Sequence, residues 1–126
     1  YLLRRLVVKR AVLAVTGRAV DSAALAGVEV RNAPSGAPYV HVDGAPLRMG
    51  VSVTDRAGWA VCVVSAAESP AVGCDLELVE ARTPGFVQDF LTVAEQQVVA
   101  ARPPGDERDA MANLIWSAKE SALKVL

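Results

Sequence analysis

Five ionisable residues in the second half of the chain have the types and spacing of a cation site beside a phosphate site. Asp75 and Glu77 are two residues apart in a predicted strand, so their carboxylates share one face. Glu120 and Lys124 are four residues apart on a predicted helix, with Lys119 at the border of their stripe. Carboxylates are ligands that Mg²⁺ prefers, and lysines neutralise phosphate. The pattern therefore predicts Mg²⁺-assisted phosphoryl chemistry.

Each part of this pattern also has a simpler interpretation. The strand acids fit a solvated strand end, although two adjacent carboxylates resist ionising together unless a cation lies between them. The helical pair Glu120–Lys124 fits an ordinary surface ion pair, and the whole set fits a generic acidic metal-binding domain. Arg5 and Lys9, one turn apart on the first predicted helix, are either a second phosphate contact or a solvated face.

Composition narrows the class of protein. The length of 126 residues predicts one domain over 1–126, and 52% hydrophobic residues argue against disorder. A net charge of −1 favours neither a nucleic-acid partner nor a membrane surface, and no apolar run approaches the roughly 20 residues of a membrane span. Cys62 and Cys74 lie in apolar runs and are interpreted as reduced thiols of a cytoplasmic protein. Both ends lie inside predicted helices, so we expect a piece of a longer chain.

The order of helix, strands and helices predicts an α+β fold in which a mostly antiparallel sheet packs against long helices. Asp43-Gly44 predicts a hairpin, and Thr92 with Glu95 predicts a capping box. The apolar run 59–65 is expected to be a central strand, and a short helix is expected after Thr83. The predicted elements are a helix over 2–16, strands over 28–32, 39–42, 51–54, 59–65 and 71–78, and helices over 93–101 and 107–126.

A weak internal repeat indicates two related halves. Residues 9–15 resemble residues 119–125, with lysine, leucine and valine at matching places. Arg10 stands opposite Glu120 in this comparison, so two halves of common origin would have kept one active site. Chance similarity between helices rich in alanine, leucine, valine and lysine is the alternative.

Two motifs resemble the signature motifs of 4′-phosphopantetheinyl transferases. The first is Val72-Gly73-Cys74-Asp75-Leu76-Glu77, and the second is Trp116-Ser117-Ala118-Lys119-Glu120-Ser121-Ala122-Leu123-Lys124. Residues 51–55 with 58–61 are similar to a third family motif, and Gly36-Ala37-Pro38 to a fourth. The likeness is to the surfactin-synthetase-activating type, whose chain has two pseudo-symmetric halves, and to the related holo-acyl-carrier-protein synthases, which form trimers.

The resemblance implies a reaction and a set of roles. Coenzyme A would donate its phosphopantetheine arm to a serine of an acyl or peptidyl carrier protein and release 3′,5′-ADP. Asp75, Glu77 and Glu120 would hold Mg²⁺, while Lys119 and Lys124 would contact phosphate. Glu120 and Lys119 would be catalytic. A monomer with pseudo-symmetric halves and a trimer both remain open.

Two positions depart from the family pattern, and both are expected to affect binding of the donor, coenzyme A. Asp55 stands where the family usually has a histidine that helps bind the 3′-phosphate of coenzyme A, and Ala37 stands where lysine or arginine is frequent. Thr54, Asp55 and Arg56 are expected to lie near coenzyme A, with Arg56 offsetting the repulsion between aspartate and phosphate. A non-catalytic carrier-docking or structural domain descended from such an enzyme is the alternative. Carrier contacts are expected from residues 84–101.

Overall fold

The computed structural model describes residues 1–65 and 71–126, and these residues form an α+β fold, as predicted. The elements in chain order are α1 (Leu2–Val15), α2 (Ser22–Gly27), β1 (Val28–Asn32), β2 (Pro38–Val42), β3 (Ala45–Leu47), β4 (Gly50–Arg56), β5 (Trp59–Ser65), α3 (Pro84–Phe90), α4 (Val93–Ala100) and α5 (Asp106–Leu123). None of the helices described is long and apolar enough to cross a membrane.

The strands form two antiparallel sheets. One sheet has the order β1-β2-β3 and the other is the hairpin β4-β5. The predicted hairpin at Asp43-Gly44 is confirmed, because both residues have positive φ (50° and 82°) and connect β2 to β3. Ala57 and Gly58 adopt the same left-handed conformation between β4 and β5 (49° and 83°), as the turn of a two-residue hairpin requires.

The first core lies between α1 and the strands. Apolar residues recur along α1 at intervals of four and one, so that one face of the helix is fully buried. Its members are Val8, Val12 and Leu13 from α1 with Val28, Val30, Val40 and Val51 from the strands. This core fixes the sheet that carries one wall of the site described below.

The second core joins the three C-terminal helices. Leu91, Val99 and Ala112 are its buried members. The capping box predicted at Thr92 is confirmed: the threonine side chain accepts from the Glu95 amide, and the Glu95 carboxylate accepts from the Thr92 amide. The short helix expected after Thr83 is α3. Together these contacts set the position of α5.

Several predicted elements were wrong. Residues 71–82 form no regular element, because the Cys74 amide donates to the Ser52 hydroxyl (3.0 Å) instead of to a strand ladder. Leu78, at the end of the predicted strand 71–78, is 44% exposed. Within the described residues β5 pairs only with β4, so it is not the central strand expected from its apolar composition. The helix α2, capped by Asp21, was not predicted because six residues give too short a pattern.

Candidate functional site

The acid-bearing segment lies directly against α5 because of one glycine. A Cβ built on Gly73 would lie 1.8 Å from the carbonyl oxygen of Ser121, which is far inside van der Waals contact. Only a residue without a side chain permits this approach. The close contact brings the following residues, including Asp75 and Glu77, within reach of the α5 side chains.

Asp75 is held by Lys124. The Lys124 ammonium donates to Asp75 Oδ1 at 2.9 Å and to the backbone carbonyl of Cys74 at 2.8 Å. The Thr54 hydroxyl donates to the same Oδ1 at 3.3 Å, which links the pair to β4. The Asp75 side chain is only 8% exposed, and its Oδ2 is buried with no hydrogen-bond partner among the described residues. Buried carboxylate oxygens rarely lack a partner, which marks Oδ2 as a candidate for ligand contact.

The environment of Asp75 favours its ionised form. Burial is the strongest single influence and raises the pKa of Asp75, but the hydrogen bond and the charge of Lys124 oppose it. Smaller contributions come from the backbone of Leu76 and from the nearby Ser117 hydroxyl, which makes no regular hydrogen bond to the carboxyl. The net result is a pKa below the ordinary value, so Asp75 is a carboxylate at neutral pH.

Glu77 is held through both carboxylate oxygens. The Trp116 indole N–H donates to Oε1 at 3.2 Å, and the Arg82 guanidinium donates to Oε2 at 3.1 Å. Arg82 is itself fixed, since its Nε donates to the Asn113 side chain at 2.7 Å and its guanidinium lies 4.7 Å from the centre of the Phe86 ring. The side chains of Glu77 and Arg82 are each only 15% exposed. Glu77 therefore has one orientation, facing α5.

The predicted stripe of α5 faces the two acids. Trp116 contacts Glu77 and Lys124 contacts Asp75, so the segment and the helix run antiparallel. Glu120 lies one turn from each of these two helical residues and is half-buried. Its carboxylate has no hydrogen bond or ion pair within the part of the chain that the structure describes.

The three acids do not form a closed ligand cluster. Among residues 1–65 and 71–126, no three His, Cys, Asp or Glu side chains converge closely enough to hold a metal ion. Asp75 and Glu77 are each directed to a basic partner, Lys124 and Arg82 respectively. The assignment of Asp75, Glu77 and Glu120 as metal ligands therefore stays a prediction.

Lys119 lies on a different side of α5 from Lys124. Its ammonium forms an ion pair with Glu95 (2.6 Å) and donates to the carbonyl of Phe90 (2.9 Å). These contacts join α5 to the start of α4, not to the Asp75 segment. The predicted catalytic and phosphate-binding role of Lys119 stays a prediction.

The two residues of α1 that were predicted to bind phosphate donate hydrogen bonds to backbone carbonyls. Arg5 donates to the carbonyl of Val30 and Lys9 to that of Leu25 (2.8 Å), so they attach α1 to β1 and α2. Their role as phosphate ligands remains untested by these contacts.

The residues at the end of β4 are paired as well. Asp55 forms an ion pair with Arg4 of α1. Arg56 lies 3.4 Å from Glu80 and 4.0 Å from Glu77, measured between charged atoms. Thr54 is the residue of this trio that contacts Asp75, through its hydroxyl. Arg56 therefore belongs to the Glu77 side of the site.

A cavity of about 630 Å³ is lined by Lys124, the residue that contacts Asp75. Its walls include residues 36–38, residues 51–53 and residues 123–126, with Arg4 as a further basic residue. The volume is in the range of small-molecule sites. Val72 lines the cavity as well, so parts of all four stretches that resemble family motifs meet at one cavity, although they are far apart in sequence.

Two residues of the site were not found from the sequence. Arg82 orients Glu77 but stands in a segment without periodicity, so no pattern marked it. Asn113 did give a signal, because it is a polar residue on the inner face of a predicted helix. It is 2% exposed, and its amide donates to the carbonyls of Glu80 and Asp109, both at 2.7 Å. A buried amide of this kind requires several partners.

The fold and the site together define an α+β domain with a buried acid, a paired lysine and an adjoining cavity. Residues 71–126 match the model of the 4′-phosphopantetheinyl transferase superfamily. The resemblance found in the sequence is thereby confirmed for the region that holds both signature motifs, and it supports a transferase role of this general kind. Neither the curated proteins nor the solved structures gave a significant match.

Proposed function

We propose that the protein transfers the 4′-phosphopantetheine arm of coenzyme A to a serine of an apo acyl or peptidyl carrier protein, with Mg²⁺, and releases 3′,5′-ADP. The observation that carries the proposal is Asp75: a nine-tenths buried carboxylate, one oxygen of which has no partner among the described residues, placed beside a lysine that lines a ligand-sized cavity. The family match over the same residues supports it.

One atom of the site fits a divalent cation, although the described side chains form no closed cluster of three ligands. Asp75 Oδ2 is buried without a partner among residues 1–65 and 71–126, and a cation would satisfy it. Asp75, Glu77 and Glu120 would hold Mg²⁺, each supplying oxygen ligands of the type that Mg²⁺ takes. When bound, Mg²⁺ would neutralise negative charge on the pyrophosphate oxygens.

The remaining steps belong to the side chains. Lys124 binds a phosphate oxygen from the cavity wall, and Lys119 is proposed to bind a second one. Glu120, whose carboxylate is unengaged in the described part of the chain, accepts the proton of the carrier serine. The serine oxygen then bonds to the phosphorus that bears pantetheine, and the bond from that phosphorus to the bridging oxygen of 3′,5′-ADP breaks. Positioning and charge neutralisation account for most of such catalysis.

The donor is proposed to lie in the cavity of about 630 Å³. Thr54, Asp55 and Arg56 would lie near its nucleotide end, with Arg5 and Lys9 as further phosphate ligands. The ion pair between Arg4 and Asp55 offsets the negative charge at the position where the family usually has histidine. This pairing lowers the repulsion that Asp55 would otherwise exert on phosphate.

The finer classification is also part of the proposal. We place the chain with the surfactin-synthetase-activating type, with two pseudo-symmetric halves, in the cytoplasm. A monomer of this type and a trimer of the holo-acyl-carrier-protein synthase kind remain the two assemblies to distinguish. The exposed Phe90 and its neighbours Phe86 and Trp116, with ring centres 5.0 to 5.2 Å apart, are proposed to contact the carrier protein.

A second candidate is a non-catalytic carrier-docking or structural domain descended from such an enzyme. The observation that favours it is the pairing of the charged groups: Asp75 with Lys124, Glu77 with Arg82, and Lys119 with Glu95. Each pair is complete without a ligand. Calorimetric titration with coenzyme A separates the candidates, because the enzyme binds it in a Mg²⁺-dependent manner and the docking domain does not.

The transfer itself is tested by incubating the protein with apo-carrier, coenzyme A and Mg²⁺ and weighing the carrier by mass spectrometry. We expect a gain of one phosphopantetheine group. Glu77→Gln should slow the reaction roughly 100-fold at limiting Mg²⁺, since a metal ligand contributes several kcal/mol. Glu107→Gln, which neutralises an exposed acid in the first turn of α5, is the matched control and should leave the rate unchanged. No mass gain where a control transferase succeeds would refute the proposed function.

A further inference from the structure

Lys124 stands at the boundary between the buried acid and the cavity. Its ammonium donates to Asp75 Oδ1 (2.9 Å) and to the Cys74 carbonyl (2.8 Å). Its side chain is 33% exposed and lines the cavity. The same ammonium can therefore reach either the acid or a ligand in the cavity by a change of rotamer.

Lys124 and a divalent cation compete for Asp75. The ammonium already neutralises the carboxylate and occupies one of its oxygens, Oδ1, while Oδ2 has no partner in the described part of the chain. A cation bound to Oδ2 would lie only a few Å from the ammonium, and like charges this close in a partly buried site repel strongly. Full cation binding at Asp75 thus requires Lys124 to leave.

The second basic residue of the site does not share this freedom. Arg82 is 15% exposed, bonded through its Nε to Asn113 and placed against the Phe86 ring. Lys124 is twice as exposed and, among the described residues, its ammonium contacts only Asp75 and the Cys74 carbonyl, so it is the basic residue that a ligand displaces more easily.

We propose that Lys124 is an exchangeable counter-ion that holds Asp75 until a phosphate group enters the cavity, then transfers to that phosphate and frees Asp75 for the divalent cation. The inference rests on the proposed function, in which both ligands meet at this site. It makes their binding cooperative: the phosphate ligand tightens cation binding, and by reciprocity the cation tightens binding of the phosphate ligand. The protein therefore binds the cation weakly without its donor.

The test measures the affinity for Mn²⁺ by isothermal titration calorimetry, with and without coenzyme A, after subtraction of Mn²⁺ binding to coenzyme A alone. In the wild type, coenzyme A should tighten Mn²⁺ binding about tenfold, within the usual range of coupling between sites. Lys124→Met should bind Mn²⁺ alone about tenfold more tightly than the wild type and should gain less from coenzyme A than the wild type does. Arg10→Met removes an equal charge from an exposed position of α1 that has no role in the proposed site, and it should leave binding of Mn²⁺ alone unchanged.

Two further variants keep the test decisive. Lys124→Arg retains the charge and should bind Mn²⁺ as weakly as the wild type. If circular dichroism shows that Lys124→Met does not fold, Lys124→Gln removes the charge while keeping a donor for Asp75 and Cys74, and it should show the same gain in Mn²⁺ affinity.

Equal Mn²⁺ affinity in the wild type and the charge-removing variants would overturn the exchange, even if the protein transfers phosphopantetheine. Absence of Mn²⁺ binding in all of them would overturn it as well. Tighter Mn²⁺ binding by Lys124→Met in a protein without transferase activity would support the exchange and refute the proposed function, so the two failures are distinguishable.

Discussion

The contact of Gly73 with α5 gives the sharpest prediction. In Gly73→Ala the added methyl would lie 1.8 Å from the Ser121 carbonyl oxygen and 2.9 Å from both the Ser121 carbonyl carbon and a Val125 methyl. The nearest obstacle is the backbone of a helix, which cannot rotate away as a flexible side chain would. The segment and α5 must therefore separate by about 1 Å, and overpacking of this kind costs typically 1–3 kcal/mol.

We expect the free energy of unfolding of Gly73→Ala to fall by about 3 kcal/mol. This is the upper end of the range, because the added methyl is fixed to the backbone of the segment and its nearest neighbour is the backbone carbonyl of Ser121. With a urea slope of about 2 kcal/mol/M, the midpoint of unfolding falls by about 1.5 M. The same displacement moves Asp75 relative to Lys124, and a misplacement of about 1 Å reduces turnover by roughly 100-fold.

Gly85→Ala is the matched control. A Cβ at Gly85 meets only the Thr83 hydroxyl oxygen at 4.0 Å, an ordinary contact, and the residue lies within α3. Its urea midpoint should stay or rise, because alanine has the higher helix propensity by up to about 1 kcal/mol. An unchanged midpoint in Gly73→Ala would refute the close packing of the segment on α5, and with it the geometry of the site.

Three further predictions concern individual side chains. The pKa of Asp75 is lowered by Lys124 in spite of burial, so its ionisation stabilises the fold above its unfolded pKa of about 3.9, and this stability is lost as pH falls through the lower folded value. Urea unfolding between pH 2.5 and 6 should therefore be less pH-dependent in Asp75→Asn than in the wild type; equal slopes would contradict the pairing. Burial, aided by Cys74, raises the pKa of Cys62 to about 11, so its alkylation by iodoacetamide at pH 8 should be much slower than that of free cysteine. Asn113→Ala removes the buried partner of Arg82 and should lower the unfolding free energy by about 1–3 kcal/mol; a loss well below 1 kcal/mol would show that water replaces its hydrogen bonds.

Local chemistry was sufficient to predict most of the regular elements. The helix over residues 2–15, strand β1 and the capping box at Thr92 follow from periodicity and from side chains that bond their own neighbouring backbone. The hairpin at Asp43-Gly44 follows from residues that tolerate positive φ. Such features depend on residues a few positions apart, so a single sequence contains the information that determines them.

The segment 71–82 shows where local reasoning ended. The apolar alternation of residues 71–78 predicted a strand, but the Cys74 amide is bonded to Ser52, and the segment is placed by Gly73 against α5. Alternating polar and apolar residues indicate that the two faces of a segment differ in polarity. They do not determine whether its backbone amides donate to a hydroxyl or to a neighbouring strand. That choice depends on residues more than twenty positions away.

The candidate site likewise has features that the sequence predicted and features that only the tertiary structure decided. The sequence by itself determined the types of the chemical groups: Asp75 and Glu77 on one face, Glu120 and Lys124 on one helical stripe, and the resemblance of the motifs that contain them. The tertiary structure decided which group each charge meets: Lys124 binds Asp75, Lys119 turns to Glu95, and Arg82 orients Glu77. Spacing along a helix or an extended segment fixes which side chains share a face, whereas ion pairing depends on distances across the fold that tertiary packing sets, as the contact of Gly73 with α5 does for Asp75 and Lys124.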